Sequence, residues 1–331
     1  MNIAIVRLSA LGDIVHSMIV LQFIKRHFPN SNITWITDKR FEEILKHNPH
    51  LDRVASVDIK NMKNNFSLKL LKNSVSYLKN LGSFDMVLDI QGLIKSALIA
   101  KFLGKKRYGL EIGCIRENLA SFLYTNKIIV PCENNVIDRN MGFVSKALGF
   151  EYTKNEIDKK EPYLFFDPKK EYKHIDCLLE KKRKNILLIA GSSRENKNYP
   201  ADKFANVAKA LNENILLLWG NEEEKRKAEQ IALKSNAKVL PKLSLNDLKY
   251  LISKTDLVIG GDTGPTHIAW AMNKPSVVIF GYTPTTLMYQ TPINIAVKSN
   301  SKPDLCRFDK KDDSIKNIKE AQIIEKAKEL L

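Results

Sequence analysis

The stretch Val258-Ile259-Gly260-Gly261-Asp262-Thr263-Gly264-Pro265-Thr266-His267 decides the fold. Its apolar beginning followed by two glycines predicts a buried strand that runs into a tight turn, and Pro265 is typical of the beginning of a helix. Thr263 is positioned to cap that helix, and Gly264 lets the backbone approach a ligand. Because the first amides of a helix attract anions, the stretch predicts a site for a nucleotide diphosphate. The alternative is a turn that only reverses the chain.

The same strand, loop and helix pattern opens each half of the chain. An apolar run at residues 2–6 is followed by a loop at 9–13 and a helical pattern, and a run at 185–190 is followed by the polar loop 191–197. Further buried strands are predicted at 33–37, 86–90, 215–219, 256–260 and 276–280. Short apolar runs that alternate with helical stretches indicate an α/β fold with parallel sheets.

The length of 331 residues suits two domains. We predict an N-terminal Rossmann-like domain at 1–160, a polar linker at 161–184 with Pro162 and Pro168, and a C-terminal Rossmann-like domain at 185–312. Residues 313–331 form a terminal helix that we expect to pack back on the N-terminal domain. Neither a signal peptide nor a membrane-spanning run is apparent, so a cytoplasmic protein is expected.

The net charge of the chain indicates which classes of partner to expect. The formal net charge of +16 calls for an anionic partner such as nucleic acid, anionic lipid or a phosphorylated substrate, or reflects a lysine-rich composition alone. Nucleic acid is disfavoured because the lysines lack interleaved aromatic residues.

The four cysteines have no paired spacing, so we expect them to be reduced and mostly buried. They are Cys114, Cys132, Cys177 and Cys306.

A basic amphipathic helix is predicted between residues 61 and 81. Leu68, Leu71, Val75 and Leu78 form one apolar stripe, with lysines around it. Such a helix suits a membrane surface or an acidic substrate, but an ordinary solvated helix fits the pattern equally well.

Polar residues after the first strand are candidates for chemistry, because ligands gather at the carboxyl ends of parallel strands. Asp13 lies in this region and is either a functional carboxylate or a first-turn residue favoured by the helix dipole. Arg116 and Arg139 lie in stretches of little regular pattern. Their guanidinium groups suit carboxylate or phosphate, although the pattern alone does not single them out.

Four segments together resemble the ADP-heptose:lipopolysaccharide heptosyltransferases, which are glycosyltransferase family 9. They are residues 7–16, 89–96, 193–200 and 261–264 followed by His267. The resemblance covers nearly the whole chain and implies the GT-B glycosyltransferase fold, in which two Rossmann-like domains face each other across a cleft. Within the family, segments 89–96 and 116–124 are most similar to the heptosyltransferase I branch, which adds the first heptose to a Kdo residue of Kdo-lipid A. A heptosyltransferase II-type enzyme acting on an already heptosylated core is the alternative.

The resemblance implies an inverting transfer without a metal, with Asp13 as the general base. It assigns donor binding to Ser192, Ser193, Lys197, Glu222, Leu243, Asp262, Thr263, Gly264 and His267. His267 could also be a core histidine. Acceptor binding is assigned to Lys60, Lys63, Arg116 and Arg139. Serines replace the more common threonines at 192 and 193, which keeps the hydroxyl groups, and Pro265 replaces a larger apolar residue.

The implied partners are ADP-L-glycero-β-D-manno-heptose as the donor, Kdo-lipid A as the acceptor and the cytoplasmic surface of the inner membrane. No cofactor, metal or nucleic acid is expected, and we expect a monomer. Other enzyme classes fit less well. A Rossmann dehydrogenase needs three spaced glycines after the first strand, where residues 9–13 contain only Gly12. A nucleotide-sugar epimerase on the same fold would need no acceptor. A basic nucleic-acid-binding protein is the rival from a different class.

Overall fold

The structure of the protein, a computed structural model, describes residues 1–65, 67–192, 194–302 and 311–331. It leaves out the side chains of Lys63 and Leu71. The chain divides into two units, Met1–Tyr163 and Leu164–Leu331, which we call the N-terminal and C-terminal units.

Each unit contains a parallel six-stranded sheet, and the two sheets have the same strand order. The strands are β1 (Asn2–Val6), β2 (Asn32–Asp38), β3 (Arg53–Val57), β4 (Met86–Asp89), β5 (Arg107–Leu110), β6 (Asn126–Ile128), β7 (Asn185–Ile189), β8 (Asn214–Leu218), β9 (Lys238–Val239), β10 (Leu257–Gly261), β11 (Ser276–Phe280) and β12 (Asn294–Lys298). The order is β3-β2-β1-β4-β5-β6 in the N-terminal unit and β9-β8-β7-β10-β11-β12 in the C-terminal unit. This is the order of the Rossmann fold, in which ligands bind where the direction of strand addition reverses.

Helices connect the strands and cover both faces of each sheet. They are α1 (Leu11–Ser17), α2 (Val20–His27), α3 (Glu42–Leu45), α4 (Ile59–Asn64), α5 (Leu68–Lys79), α6 (Ile94–Leu103), α7 (Val136–Leu148), α8 (Lys154–Asp158), α9 (Lys173–Asp176), α10 (Ala201–Leu211), α11 (Glu222–Leu233), α12 (Leu245–Lys254), α13 (Gly264–Ala271) and α14 (Glu320–Leu330). None of the helices in the described ranges is both long enough and apolar enough to cross a membrane.

The central strands are buried on both faces, which explains why they are continuous apolar runs. In β1 the side chains of Ile3 to Val6 are fully buried, and β7, β8, β10 and β11 are buried along their whole length. The seven predicted strands are confirmed with ends that shift by at most one residue. The prediction missed β3, β5, β6, β9 and β12, which lie at or next to the edges of the sheets and are partly exposed.

The terminal helix α14 belongs to the C-terminal unit and packs in the core of that unit. Ile323 and Ala327 of α14 are fully buried in the apolar core that β7, β8, β10 and β11 share with α10. The Tyr199 hydroxyl also donates a hydrogen bond of 2.9 Å to the Ile318 carbonyl just before the helix. The helix packs there because its apolar stripe closes the core of its own unit.

The predicted linker 161–184 is also structured, and its part after Tyr163 belongs to the C-terminal unit. The Tyr172 ring stacks on Tyr250 with centroids 3.8 Å apart, and the Tyr172 hydroxyl accepts a hydrogen bond of 2.7 Å from the Asn246 side chain. These contacts attach the segment to α12. Stacked aromatic rings bury a large apolar area, which the polar composition of the segment does not indicate.

The predicted basic helix at 61–81 is two helices, α4 and α5, and Phe66 between them lies outside the described residues. The Ser67 hydroxyl caps α5 by accepting from the Leu70 amide at 3.2 Å. Leu78 and Leu81 join the N-terminal core, so this part of the apolar stripe packs inward.

The expectation that the cysteines are reduced holds for Cys114 and Cys177, which are free. The expectation that they are mostly buried is wrong for these two, because Cys177 is exposed and Cys114 is half-buried. Cys306 lies outside the described residues.

Candidate active site

The quoted stretch forms β10, a turn and the first turn of α13, as its sequence predicts. Gly260 is required for close packing, because a Cβ atom there would lie 2.7 Å from the Thr266 hydroxyl and 2.9 Å from Ile189. The helix begins at Gly264, so Pro265 is its second residue.

Thr263 occupies the N-cap position of α13, but its side chain makes no capping hydrogen bond. Its hydroxyl instead lies 3.2 Å from the Thr266 hydroxyl, which donates a 2.8 Å hydrogen bond to the Gly261 carbonyl. The expectation that Thr263 caps the helix through its side chain is therefore wrong. Since the first-turn amides of a helix have no intrahelical acceptor, this end of α13 suits an anion.

Asp262 is the centre of a buried charge network in the C-terminal unit. One carboxylate oxygen lies 2.5 Å from the Lys197 ammonium, and the other lies 3.0 Å from His267 Nε2. The exposed fractions of the side chains are 18% for Lys197, 7% for Asp262 and 5% for His267. Three of the predicted donor residues thus form one hydrogen-bonded unit, and His267 is part of it instead of an isolated core residue.

The pKa of Asp262 shows how strongly this network holds the negative charge. Burial by itself raises the pKa of this carboxyl group, but the hydrogen bond from His267 and the charge of Lys197 outweigh burial and hold the pKa well below its usual range. The charges of Asp262 and Lys197 therefore balance each other. An anion at this site would therefore be attracted by the first-turn amides of α13 and by Lys197, whose charge is already paired with Asp262.

The loop before Lys197 also lies at the carboxyl end of β7. The Ser192 hydroxyl donates to the Arg194 carbonyl at 2.7 Å and so stabilises a local turn. The predicted donor residue Ser193 lies outside the described residues. Gly191 is packed so closely that a Cβ atom there would lie 2.2 Å from the Glu224 side chain.

The remaining donor candidates follow neighbouring strands. Glu222 is the exposed first residue of α11 after β8, and the half-buried Leu243 precedes α12 after β9. Asn221 caps α11 by accepting from the Glu224 amide at 3.0 Å. The Ser244 hydroxyl likewise caps α12 by accepting from the Asp247 amide at 3.0 Å. Glu222 and Leu243 lie at the same end of the sheet as Lys197 and Asp262, because the carboxyl ends of parallel strands all lie at one end of the sheet.

In the N-terminal unit, Asp13 is the third residue of α1, directly after the loop that follows β1. Its carboxylate accepts a hydrogen bond of 3.2 Å from the Ala10 amide and lies 3.2 Å from Arg7 Nη2. The side chain is 48% exposed, so solvent or a substrate can reach it. The sequence did not single out Arg7, although it directly follows β1 and lies at the edge where ligands gather.

The loop after β4 holds Arg7 in place. Arg7 Nη1 donates a 2.7 Å hydrogen bond to the Ile90 carbonyl, and the Leu8 amide donates to Gln91 at 2.7 Å. Asp89 is fully buried and accepts from the Tyr124 hydroxyl at 2.7 Å and from the Gln91 amide at 2.9 Å. Burial raises the pKa of Asp89. Segment 89–96 therefore supports the loop that holds Arg7, and Asp89 is too buried to act as a reactive group.

Arg139 on α7 contributes a second guanidinium group to this region. Its Nη2 donates a 3.0 Å hydrogen bond to the Cys114 carbonyl. Burial lowers the pKa of Arg139, and the positive charge of Arg7 lowers it further, against the opposing effects of Cys114, Glu133 and Asp13. The Nε atoms of Arg7 and Arg139 are buried and have no hydrogen-bond partner among the described residues. Two neighbouring guanidinium groups of this kind suit a carboxylate or phosphate.

The other acceptor candidates differ in position. Arg116 is exposed and lies two residues after Cys114, whose carbonyl binds Arg139. Lys60 is exposed on α4, and the side chain of Lys63 lies outside the described residues. The structure therefore places Arg139 close enough to Arg7 and Asp13 for their charges to affect it, and shows no hydrogen bond or ion pair between the described Lys60 and that cluster.

Comparison with known proteins identifies the family. The sequence profile of glycosyltransferase family 9 (heptosyltransferase) matches residues 76–317. The chain is also 36% identical, over 100% of its length and 99% of the relative's, to a Campylobacter coli protein named lipopolysaccharide heptosyltransferase 1. The chain belongs to glycosyltransferase family 9.

Solved structures agree on the fold. E. coli heptosyltransferase WaaC with ADP has a TM-score of 0.80 at 20% identity, and the alignment covers 100% of both chains. The same enzyme with ADP-2-deoxy-2-fluoro heptose has a TM-score of 0.78 at 20% identity and 99% coverage of both chains. The predicted α/β fold with two Rossmann-like units of GT-B type is confirmed.

Proposed function

We propose that this family 9 enzyme transfers L-glycero-D-manno-heptose from ADP-heptose to a Kdo residue of Kdo-lipid A, with inversion at the anomeric carbon. The observation that carries the proposal is the half-exposed Asp13 carboxylate, which Arg7 holds at the carboxyl end of β1. The name of the Campylobacter coli relative and the nucleotide sugar in the WaaC structure support the choice of substrates. The comparisons favour neither a type II enzyme nor a nucleic-acid-binding protein.

The proposed step needs a base for the acceptor and a stabilised leaving group. An acceptor hydroxyl attacks C1 of the heptose, its proton passes to Asp13, and the bond between C1 and the diphosphate oxygen breaks so that ADP leaves with the electron pair. A positioned base of this kind contributes about 10²- to 10⁴-fold to the rate. The first amides of α13 and the Lys197 ammonium stabilise the negative charge that develops on ADP, which is the role we propose in place of a metal.

The acceptor proposal depends on the charge of the N-terminal unit. Arg7 and Arg139 bring two guanidinium groups near Asp13, and a Kdo carboxylate has the charge and the planar shape to accept from such groups. Arg116 is exposed two residues after Cys114, whose carbonyl binds Arg139. Because lipid A is held in a membrane, we propose that the protein acts as a cytoplasmic enzyme at the inner-membrane surface, where its net charge of +16 favours anionic lipids.

Mass spectrometry of Kdo-lipid A incubated with the protein and ADP-heptose tests the proposal. The expected product is the acceptor with one added heptose, formed in equal amount with ADP. Two results would contradict it. One is release of free heptose with an unchanged acceptor, and the other is transfer only to an acceptor that already contains heptose.

A further inference from the structure

Exposed apolar side chains are concentrated in one part of the N-terminal unit. Of the twelve large apolar side chains that are exposed in the described residues, seven lie between residues 94 and 129. Single exposed apolar residues are normal on a soluble protein, but a contiguous group of them marks a contact surface.

Helix α6 is apolar on both sides. Ala97, Ala100 and Leu103 are buried on its inner side, whereas Ile94, Leu98 and Phe102 are 37%, 42% and 38% exposed. The exposed residues are spaced by four and therefore form one stripe along the helix. An apolar stripe on the outer side of a helix is unusual where the helix meets only water, so this stripe marks a contact surface.

The 3-10 helix Asn118–Leu123 lies beside α6 and enlarges the apolar stripe. The Ile94 amide donates a 2.7 Å hydrogen bond to Glu117, which joins the beginnings of the two helices. Leu119 and Phe122 are each 67% exposed. We call Ile94, Leu98, Phe102, Leu119 and Phe122 the α6 patch.

Basic side chains accompany the α6 patch. Residues 94–129 include seven basic residues and two acidic ones, and the Glu117 carboxylate is already bonded to the Ile94 amide. The Lys127 ammonium lies 5.5 Å from the centre of the Phe122 ring, and Lys95 and Lys101 are exposed on α6. Apolar side chains mixed with lysines complement a surface with negative headgroups over an apolar interior.

Helix α5, which the sequence suggested as a membrane contact, is less suitable. Its Leu78 is only 3% exposed and belongs to the N-terminal core. Among its described side chains, Leu68 and Tyr77 are the large apolar ones that are exposed, and they are nine positions apart in sequence.

We propose that the α6 patch docks the protein on an anionic lipid bilayer, with its apolar side chains at headgroup depth and the neighbouring lysines on lipid phosphates. The inference deepens the proposed function and rests on it for the reason why the protein visits a membrane. Arg116 lies two residues before Asn118–Leu123, so an acceptor embedded in the same bilayer would enter next to the arginines assigned to it.

Vesicle flotation of the full chain tests the docking surface. The double variant Leu98→Ser/Phe102→Ser should bind vesicles of phosphatidylcholine with phosphatidylglycerol at least about tenfold more weakly than the unchanged protein, because two apolar side chains no longer leave water. Leu233→Ser is the matched control, because this α11 residue is 86% exposed and lies in the other unit. Its binding should be unchanged. Added salt should weaken binding of the unchanged protein.

Tryptophan fluorescence reports insertion directly. The emission of Phe102→Trp should shift to the blue when the same vesicles are added, whereas that of Leu233→Trp should not. Equal binding by the double variant, or a Phe102→Trp spectrum that vesicles leave unchanged, would overturn the proposal. So would self-association through the patch without vesicle binding.

Activity on two acceptors separates this inference from the proposed function. With the acceptor embedded in vesicles, the double variant should turn over at least about tenfold more slowly, and with a deacylated, water-soluble Kdo acceptor it should match the unchanged protein. If the unchanged protein transfers heptose to neither acceptor but still binds vesicles through the patch, the proposed function fails and the docking surface stands. If it transfers heptose to both acceptors and the patch variant behaves normally, the docking surface fails and the function stands.

Discussion

The charged clusters of the two units are built in opposite ways. In the C-terminal unit, both carboxylate oxygens of Asp262 have partners, Lys197 on one side and His267 on the other. In the N-terminal unit, Arg7 and Arg139 lie near the half-exposed Asp13, and each has a buried Nε atom without a partner in the described residues. Every charged group of the first cluster has a partner, whereas the second contains two buried N–H groups without one in the described residues. Removing one partner of the first cluster leaves a buried charge uncompensated, whereas the guanidinium groups of the second cluster suit an anionic ligand.

The largest effect is expected for Asp13→Asn. The variant keeps the shape of the side chain but cannot accept the acceptor's proton at neutral pH, so the transfer rate should fall by about 10²- to 10⁴-fold. Its affinity for ADP, measured by calorimetry, should stay close to that of the unchanged protein, because the nucleotide is assigned to the other unit. Glu151→Gln, which changes an exposed carboxylate of the same unit, is the control. A variant that kept most of its turnover would remove Asp13 from the role of base.

Asp262→Asn tests the balanced cluster through its stability. Removing one partner of a buried ion pair costs about 3–5 kcal/mol, so the free energy of unfolding in urea should fall by about that amount. The matched control is Asp202→Asn, whose carboxylate pairs with Lys234 at the surface of the same unit, with exposed fractions of 75% and 59%. Exposed pairs contribute about 0–1 kcal/mol. Equal losses in the two variants would show that the Asp262 network is not a stabilising one.

The loss of unfolding free energy in Asp262→Asn should depend on pH. Because the pKa of Asp262 is lower in the folded protein than in the unfolded chain, its contribution is fully present above the unfolded pKa of about 3.9 and is lost as the pH falls towards the folded pKa. The difference in unfolding free energy between the unchanged protein and Asp262→Asn should therefore shrink as the pH falls below about 4. A difference that stayed constant with pH would contradict the assigned pairing.

Arg139→Gln is expected to have a smaller effect, and the effect should be on acceptor binding instead of on stability. Since burial and Arg7 already disfavour the charged form of Arg139, the free energy of unfolding should change by no more than about 1 kcal/mol. The KM for the Kdo acceptor should nevertheless rise by about 10- to 100-fold, because charge-assisted hydrogen bonds to its carboxylate are lost. Arg139→Lys should recover part of that affinity, and Arg26→Gln, which breaks an exposed pair with Glu156, should change neither quantity. An unchanged acceptor KM would show that Arg139 does not bind the acceptor.

The smallest effect is expected for chelation. If Lys197 and the amides of α13 stabilise the leaving diphosphate, turnover measured in the presence of EDTA should equal turnover without it. Loss of activity on chelation, restored by magnesium, would show that the charge of the C-terminal cluster is insufficient and that a metal completes it.

Local pattern determined a large part of this protein. The apolar runs of the central strands and the polar loops that follow them can be read from the sequence, because a strand buried on both faces must be continuously apolar. For the same reason, Asp13, Lys197 and Asp262 could be assigned to the carboxyl edges of sheets before any coordinates were known. Edge strands such as β3 and β9 were missed, because they are partly exposed and their composition is mixed.

Tertiary structure alone decided which of these residues meet. Lys197 and Asp262 are 65 positions apart in sequence, and strand order places the loop after β7 beside β10. The distribution of apolar surface was likewise decided by packing. Part of the α5 stripe joined the core, while the outer stripe of α6 stayed exposed. A hydropathy pattern records how apolar a helix face is, but only the neighbouring elements determine whether that face is covered.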